Sequence, residues 1–338
     1  MFHSKFARRS ASTMGAAAVL ALTLSACGGN VATSGGGSEQ ASEFPSGPVT
    51  LTIGQDPGGS TDLIGRAIAE NASDALGAPM PVVNKPGANG ALATQEVANA
   101  APDGQTLILL NASLIAITPL AVSEDEAVTL DDLEIISGIS QDDYVLVANA
   151  ESEYKTVEDI VAADKAFNFA TTGVGTGSQL AQALLFKQAG VEGTDVPFDG
   201  GSPAMTAILG NQVDFATIQL GEAMPQIEAG TLTPIVTFSE ERNQYLPDVP
   251  TALEAGYDVP VSQYRAIAAP KDTPEPALEK LREAVSAAFE SEEYKTFNEE
   301  NLFTPHEVDG AQVTEEWTAN AAKYKELVEK YDINLGGK

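Results

Sequence analysis

Apolar positions alternate through Val49-Thr50-Leu51-Thr52-Ile53 and then recur at helical spacing through Leu63, Ile64, Ala67, Ile68, Ala72 and Ala75. Between these runs, Asp56-Pro57-Gly58-Gly59-Ser60 cannot continue either element. The pattern predicts a strand, a Gly-rich loop and a helix, with Ser60 as the N-cap and Gly77 as a left-handed C-terminal cap. A second strand is expected at Val82-Val83, a second Gly-rich loop over Asn84 to Gly90, a helix ending near Ala100, and a third strand from Thr106 to Leu110.

The same order returns about 117 residues later. Phe167 to Thr171 reads as a strand, Gly173-Val174-Gly175-Thr176-Gly177-Ser178 as a loop, and Gln179 to Gln188 as a helix closed by Gly190. Val196-Pro197, the loop Phe198-Asp199-Gly200-Gly201-Ser202, a helix from Pro203 to Leu209 and a strand from Val213 to Ile218 complete the unit. Two β-α-β-α-β units predict two similar lobes with mainly parallel sheets. Ligands of such sheets lie beyond the carboxyl ends of the strands, where the Gly-rich loops are. Helix N-termini there offer unpaired N–H groups and Ser or Thr hydroxyls, an arrangement that favours an anion. Carboxylate fits better than phosphate, because neither loop has the Lys of a GxxxxGK[ST] motif. Beyond Pro274, apolar stripes predict helices over 277–290 (Leu278, Leu281, Val285, Phe289) and 312–331 (Trp317, Tyr324, Leu327), expected to pack on the first lobe.

The charge balance narrows the partner. The 338 residues include 48 Asp and Glu against 18 Lys and Arg, a formal charge of −30, yet 43% are hydrophobic. This is a folded acidic protein, unsuited to nucleic acid. With 2 His and 1 Cys there is no zinc-finger or disulfide framework to read, and no cofactor or metal is expected.

Lys5, Arg8 and Arg9, the apolar run Met14 to Leu24, and Ser25-Ala26-Cys27 form the three parts of a signal peptide. The apolar run is too short for a transmembrane anchor, and the residues flanking Arg8-Arg9 fit twin-arginine export poorly. Leu24-Ser25-Ala26-Cys27 resembles a bacterial lipobox, which implies lipidation of Cys27 after removal of residues 1–26 and a location outside the cytoplasm, anchored to the cell membrane. Residues 27–47, rich in Gly and Ser, read as a tether.

Pro57-Gly58-Gly59-Ser60-Thr61-Asp62-Leu63, Val83-Asn84-Lys85-Pro86-Gly87-Ala88-Asn89-Gly90, Ala101-Pro102-Asp103-Gly104 and Leu246-Pro247-Asp248-Val249-Pro250-Thr251-Ala252-Leu253-Glu254-Ala255-Gly256 occur in order. Together with Gly173 to Ser178 and Ala268 to Pro274, this set resembles the tripartite tricarboxylate transporter receptors, the Bug or TctC-like solute-binding proteins. The resemblance spans roughly residues 45 to 310. It implies a two-lobed α/β periplasmic-binding-protein-like fold of type II that closes on a small carboxylated solute and delivers it to membrane permease subunits. Carried over by position, Gly58, Gly59, Ser60 and Thr61 would bind one carboxylate, and Thr172, Gly173, Thr176, Gly177 and Ser178 would close from the second lobe. Asn89, Asn111, Asp199, Gly200 and Gln219 complete the expected ligand set. The lobes are expected at 48–142 with 263–338 and at 143–262, crossing near Asp142–Tyr144 and Ser262–Tyr264, and a monomer is expected.

Two positions depart from the family pattern. Asp56 precedes Pro-Gly-Gly where an uncharged residue is usual, and Phe198-Asp199-Gly200 stands where a Tyr-Lys-Gly turn is frequent. Asp56 is a solvated loop residue, a partner of the helix end, or the partner of an ammonium or hydroxyl group on an amino-acid-like solute. The only Arg near either loop start is Arg66, a turn and a half into its helix.

Other chemistry fits less well. Gly173-Val174-Gly175-Thr176-Gly177 has no third Gly at the GxGxxG spacing of a dinucleotide loop, where Ser178 stands. His306 reads as a surface residue rather than a base, Trp317 and Tyr324 as core, and the acidic pairs (Glu124-Asp125-Glu126, Asp131-Asp132, Asp142-Asp143, Glu299-Glu300) as solvated surface. A sensory co-receptor presenting its solute to a membrane kinase, and an extracytoplasmic enzyme, are the alternatives to a transport receptor.

Overall fold

The computed structural model describes residues 44–123 and 127–336. The signal peptide, Cys27, most of the tether and Glu124-Asp125-Glu126 lie outside them. The first unit runs β1 (Thr50–Ile53), α1 (Ser60–Leu76), β2 (Val82–Asn84), α2 (Ala91–Ala98), β3 (Thr106–Asn111), then the single turns α3 (Ser113–Ala116) and α4 (Thr118–Ala121). Next come the long strand β4 (Leu133–Asn149) and α5 (Val157–Ala162). The second unit is β5 (Phe167–Thr171), α6 (Gly177–Ala189), β6 (Gly193–Pro197), α7 (Gly201–Leu209) and β7 (Phe215–Gln219), followed by α8 (Leu220–Glu228) and β8 (Leu232–Thr237). The chain finishes with β9 (Ser262–Pro270), α9 (Glu275–Glu290), α10 (Glu292–Glu300) and α11 (Gly310–Lys330).

Each unit builds a parallel trio, β2-β1-β3 and β7-β5-β6, because a helix connects each successive pair. The trios are joined through two antiparallel strands, which makes the sheet mixed rather than mainly parallel. β9 pairs β3 and the first part of β4, with Asp143 opposite Ser262. From Tyr144 onward β4 pairs β7 and β8 instead. The periodicity of the two repeats carries no sign of this strand exchange, since β4 belongs to neither repeat.

Helix ends follow the glycines. Gly77 (φ 72°) and Gly190 (φ 68°) adopt the left-handed conformation and return their N–H groups to the last turns of α1 and α6. The cap of α1 differs from expectation: Gly59 is the N-cap and Ser60 the first helical residue. The apolar faces of α1 and α9 (Ile64, Ile68, Leu278, Leu281, Val285) pack with Leu51, Ile53 and Leu107. On the other lobe Phe167, Phe169, Phe186 and Phe215 form one aromatic cluster. α11 divides between the two. Val313 and Trp317 join the core of β3 and β9, whereas Tyr324 and Leu327 join the cluster around Phe169. Its stripe is continuous, so one helix serves both lobes instead of the first alone. Among the described residues no helix is long and apolar enough to cross a membrane.

Candidate functional site

The strand-to-helix loops of both lobes meet at a narrow cavity of about 30 Å³, room for no more than a couple of waters. Of the expected ligands, Asp56, Gly59, Ser60, Thr61, Asn89 and Asn111 line it from the first lobe. Thr172, Thr176, Gly200 and Gln219 line it from the second. A wider cavity of about 270 Å³ adjoins it, sharing Gln55, Asn89 and Thr172 and adding Gly173 and Asp199. Gly58, Gly177 and Ser178 line neither.

Those three are occupied with holding the loops. The Gly58 N–H donates to Asp62 Oδ2 at 2.9 Å, and Asp62 also accepts from Arg66 and Asn84. Burial pushes the Asp62 carboxyl up, but the bonds from Arg66, the Gly58 N–H and Asn84 outweigh it and hold the group below its ordinary value. Ser178 Oγ accepts from the Thr172 N–H at 2.9 Å and bonds the hydroxyls of Thr172 and Thr176 at 2.8 and 3.0 Å. Gly177 packs so close to the Tyr144 ring that a side chain would collide with it. Thr176 caps α6 through the Gln179 N–H.

An arginine stands directly behind the first loop, contrary to the sequence reading that only Arg66 was near. Arg265, on β9 and 1% exposed, donates to Ser60 Oγ at 2.7 Å, Thr61 Oγ1 at 3.2 Å and Ser140 Oγ at 3.0 Å. It also forms an ion pair with fully buried Asp142, whose other oxygen accepts from the Thr304 N–H. Arg265 therefore orients both hydroxyls of the loop without itself reaching the cavity. Two hundred residues of separation hide this pairing from any local motif.

Glu222, in the first turn of α8, is the second residue missed. Its Oε1 accepts from the Ser60 N–H at 2.7 Å, so a carboxylate from one lobe sits on the N-terminus of α1 in the other. Burial pushes this carboxyl above its ordinary value, against the Ser60 bonds and the charge of Arg265. Gln219 caps α8 by accepting from the Glu222 N–H at 2.9 Å, which leaves its Nε2 buried and without a partner. Across the same gap, Asn89 Nδ2 donates to the Gly175 carbonyl at 3.2 Å. The signal for Glu222 was the second unit's third strand-to-helix junction, Gln219-Leu220-Gly221-Glu222, inconspicuous because it is not rich in glycine.

The assembled site is a hydrogen-bonding cleft. Gln55, Ser113, Ser202 and Gln263, none of them singled out in the sequence, add further polar groups to its wall. His306 lines neither cavity and is paired with Glu316 at 2.6 Å.

The sequence profile of the tripartite tricarboxylate transporter family receptor matches residues 64–333. A protein of Agrobacterium vitis, from the TAR-I ttuE-ttuC' intergenic region, is 35% identical over 253 residues, covering 72% of each chain. The structure of the periplasmic binding protein BugD superposes with a TM-score of 0.80 at 25% identity, covering 86% of this chain and 99% of that one. MatC from Rhodopseudomonas palustris, with bound malate, gives 0.77 at 30% identity over 84% and 100% of the two chains. With two α/β lobes closing polar loops around one cleft and a family match over most of its length, the chain belongs to the tripartite tricarboxylate transporter receptor family and is a solute-binding receptor of the TctC/Bug type.

Proposed function

We propose that the protein works outside the cytoplasm, anchored through a lipid on Cys27, and captures a small carboxylated solute in the cleft for delivery to a tripartite tricarboxylate-type permease. The observation that carries this reading is the convergence of ten expected ligand residues from both lobes on one cavity, with Gln219 Nε2 buried there unpartnered. The malate bound by MatC supports the solute class. Lobe one would comprise 48–142 and 263–338, lobe two 143–262, with β4 and β9 flexing near Asp142–Tyr144 and Ser262–Tyr264. A solute touching both lobes binds the closed state better and shifts the population towards it. The permease would recognise that state, and no chemical step is required.

Thermal denaturation with mono-, di- and tricarboxylates and amino acids tests the capture step. A solute at 100 times its Kd adds about 2.7 kcal/mol, enough to raise the midpoint by several degrees. Failure of every member, with nothing released from the unfolded protein, would reject it. Delivery is tested by solute uptake in cells with and without this gene, and the anchor by metabolic labelling with palmitate, which Cys27→Ala should abolish.

A further inference from the structure

We propose that the solute selected by this cleft is a zwitterion, a small amino acid, whose ammonium group meets Glu222 and Asp56 while its carboxylate takes the donors of the second lobe; this rests on the cleft being the solute site. Three observations converge on it.

The first is the charge of the wall. Among the described residues, the two cavities are lined by Asp56, Glu222 and Asp199 and by no Lys, Arg or His. Arg265 lies behind the wall with its donors directed at Ser60, Thr61, Ser140 and Asp142. A dicarboxylate would bring two negative charges to a wall that carries half-buried Asp56 and Glu222 and exposed Asp199 and no cation to offset them.

The second is that two of the backbone donors at the start of α1 are already taken by carboxylates of the protein. The Ser60 N–H is taken by Glu222 and the Gly58 N–H by Asp62. Glu222 is seated there by a neighbouring loop of its own lobe: a Cβ on Gly201 would stand 1.6 Å from Glu222 Oε2, so glycine at this position leaves room for the carboxylate to reach across to α1. The protein thus supplies its own anion at the helix end where a solute carboxylate would otherwise bind.

The third is a pair of unmet hydrogen-bonding groups of opposite kind. Gln219 is 1% exposed, and its Oε1 is fixed on the Glu222 N–H, so the free atom is a donor. Gln55 turns its Nε2 to the Asn89 carbonyl at 3.4 Å, so its free Oε1 is an acceptor. The Asp56 carboxylate has no hydrogen-bond partner among the described residues. One buried orphan donor and one buried orphan acceptor, with the half-buried Asp56 carboxylate beside them, match a solute that carries both an anion and a proton donor.

The test is calorimetric titration of the full mature protein with matched pairs: L-alanine against propionate and lactate, L-glutamate and L-aspartate against succinate and malate, then the remaining amino acids. Wild type should bind at least one amino acid ten times more tightly than the acid of the same skeleton. Glu222→Gln keeps an acceptor for the Ser60 N–H but removes the charge, and should weaken that amino acid at least tenfold while strengthening the matched acid. Asp56→Asn, on the other lobe, should act in the same direction and guards against misfolding of the first variant. Tighter binding of succinate, malate or another plain acid by wild type, unaltered by either variant, overturns the zwitterion while the receptor reading stands. No binding by either class, with no carboxylated compound released on unfolding, overturns both.

Discussion

Arg265 and Asp142 show how a buried charge can organise a binding loop from behind. Taking both ions out of water is expensive, and their pairing is compensated by Ser140, the Thr304 N–H and the two hydroxyls of α1. Arg265→Met should destabilise the protein by about 3–5 kcal/mol, since Asp142 would then be buried without its cation. Arg265→Met combined with Asp142→Leu should recover much of that loss, as urea denaturation can measure; a double-variant loss equal to the sum of the Arg265→Met and Asp142→Leu losses would show that the pair is not coupled. Asp62 makes a different, pH-dependent contribution. Its carboxyl is held below its ordinary value in the folded protein, burial notwithstanding, by Arg66, the Gly58 N–H and Asn84. Such a group stabilises fully above its unfolded pKa and loses that contribution as pH falls through the lower folded value. Asp62→Asn should therefore be less stable than wild type at neutral pH and converge towards it in acid, in midpoints measured across the range.

The elements were legible where a period repeats and hidden where one does not. Alternation in β1, the stripe of α1 and the capping glycines Gly77 and Gly190 are local facts, and the structure carries them. Strand β4 was invisible because it runs 17 residues through two different sets of partners, and its burial follows first one neighbour and then another. The site divides in the same way. Loops rich in glycine announced Gly59, Ser60, Thr61, Thr172 and Thr176, whereas Arg265 and Glu222 act through partners more than 150 residues away. Helix α8 offers a test of how tightly such distant contacts fix an element. Alanine is the better helix former by about 1 kcal/mol, yet a Cβ at Gly221 would lie 2.0 Å from the Asn301 carbonyl oxygen, a backbone atom that cannot swing away. Overpacking of this kind typically costs about 1–3 kcal/mol. Gly221→Ala should consequently lower the denaturation midpoint despite its helical preference, and a raised midpoint would mean that the end of α10 yields to α8.

At the scale of the whole molecule, the contact of Glu222 with Ser60 would link the proposed closure to a proton. In an open form Glu222 would return to water and to the ordinary carboxyl range. When the lobes are together, burial raises it, opposed by the Ser60 hydrogen bonds and the Arg265 charge and assisted by the charge of Asp142; Asp56 faces the same cavity. A group whose pKa is raised in one state binds protons more strongly there, so acid favours that state. Closure without solute should be fullest below the ordinary carboxyl range and should weaken as pH rises through the elevated value of Glu222. Small-angle scattering from the solute-free protein should accordingly show a smaller radius of gyration at the acid end, increasing towards neutrality. Glu222→Gln, neutral throughout, should stay compact and lose most of this dependence, while the separate titration of Asp62 remains. A wild-type radius that does not change with pH, or a dependence that survives intact in Glu222→Gln, would show that the carboxylate on α1 does not govern closure. If the dependence is present, an amino acid should reverse its sign: its ammonium group stabilises the ionised carboxylate, so the closed complex should persist to neutral pH where the empty receptor has begun to open.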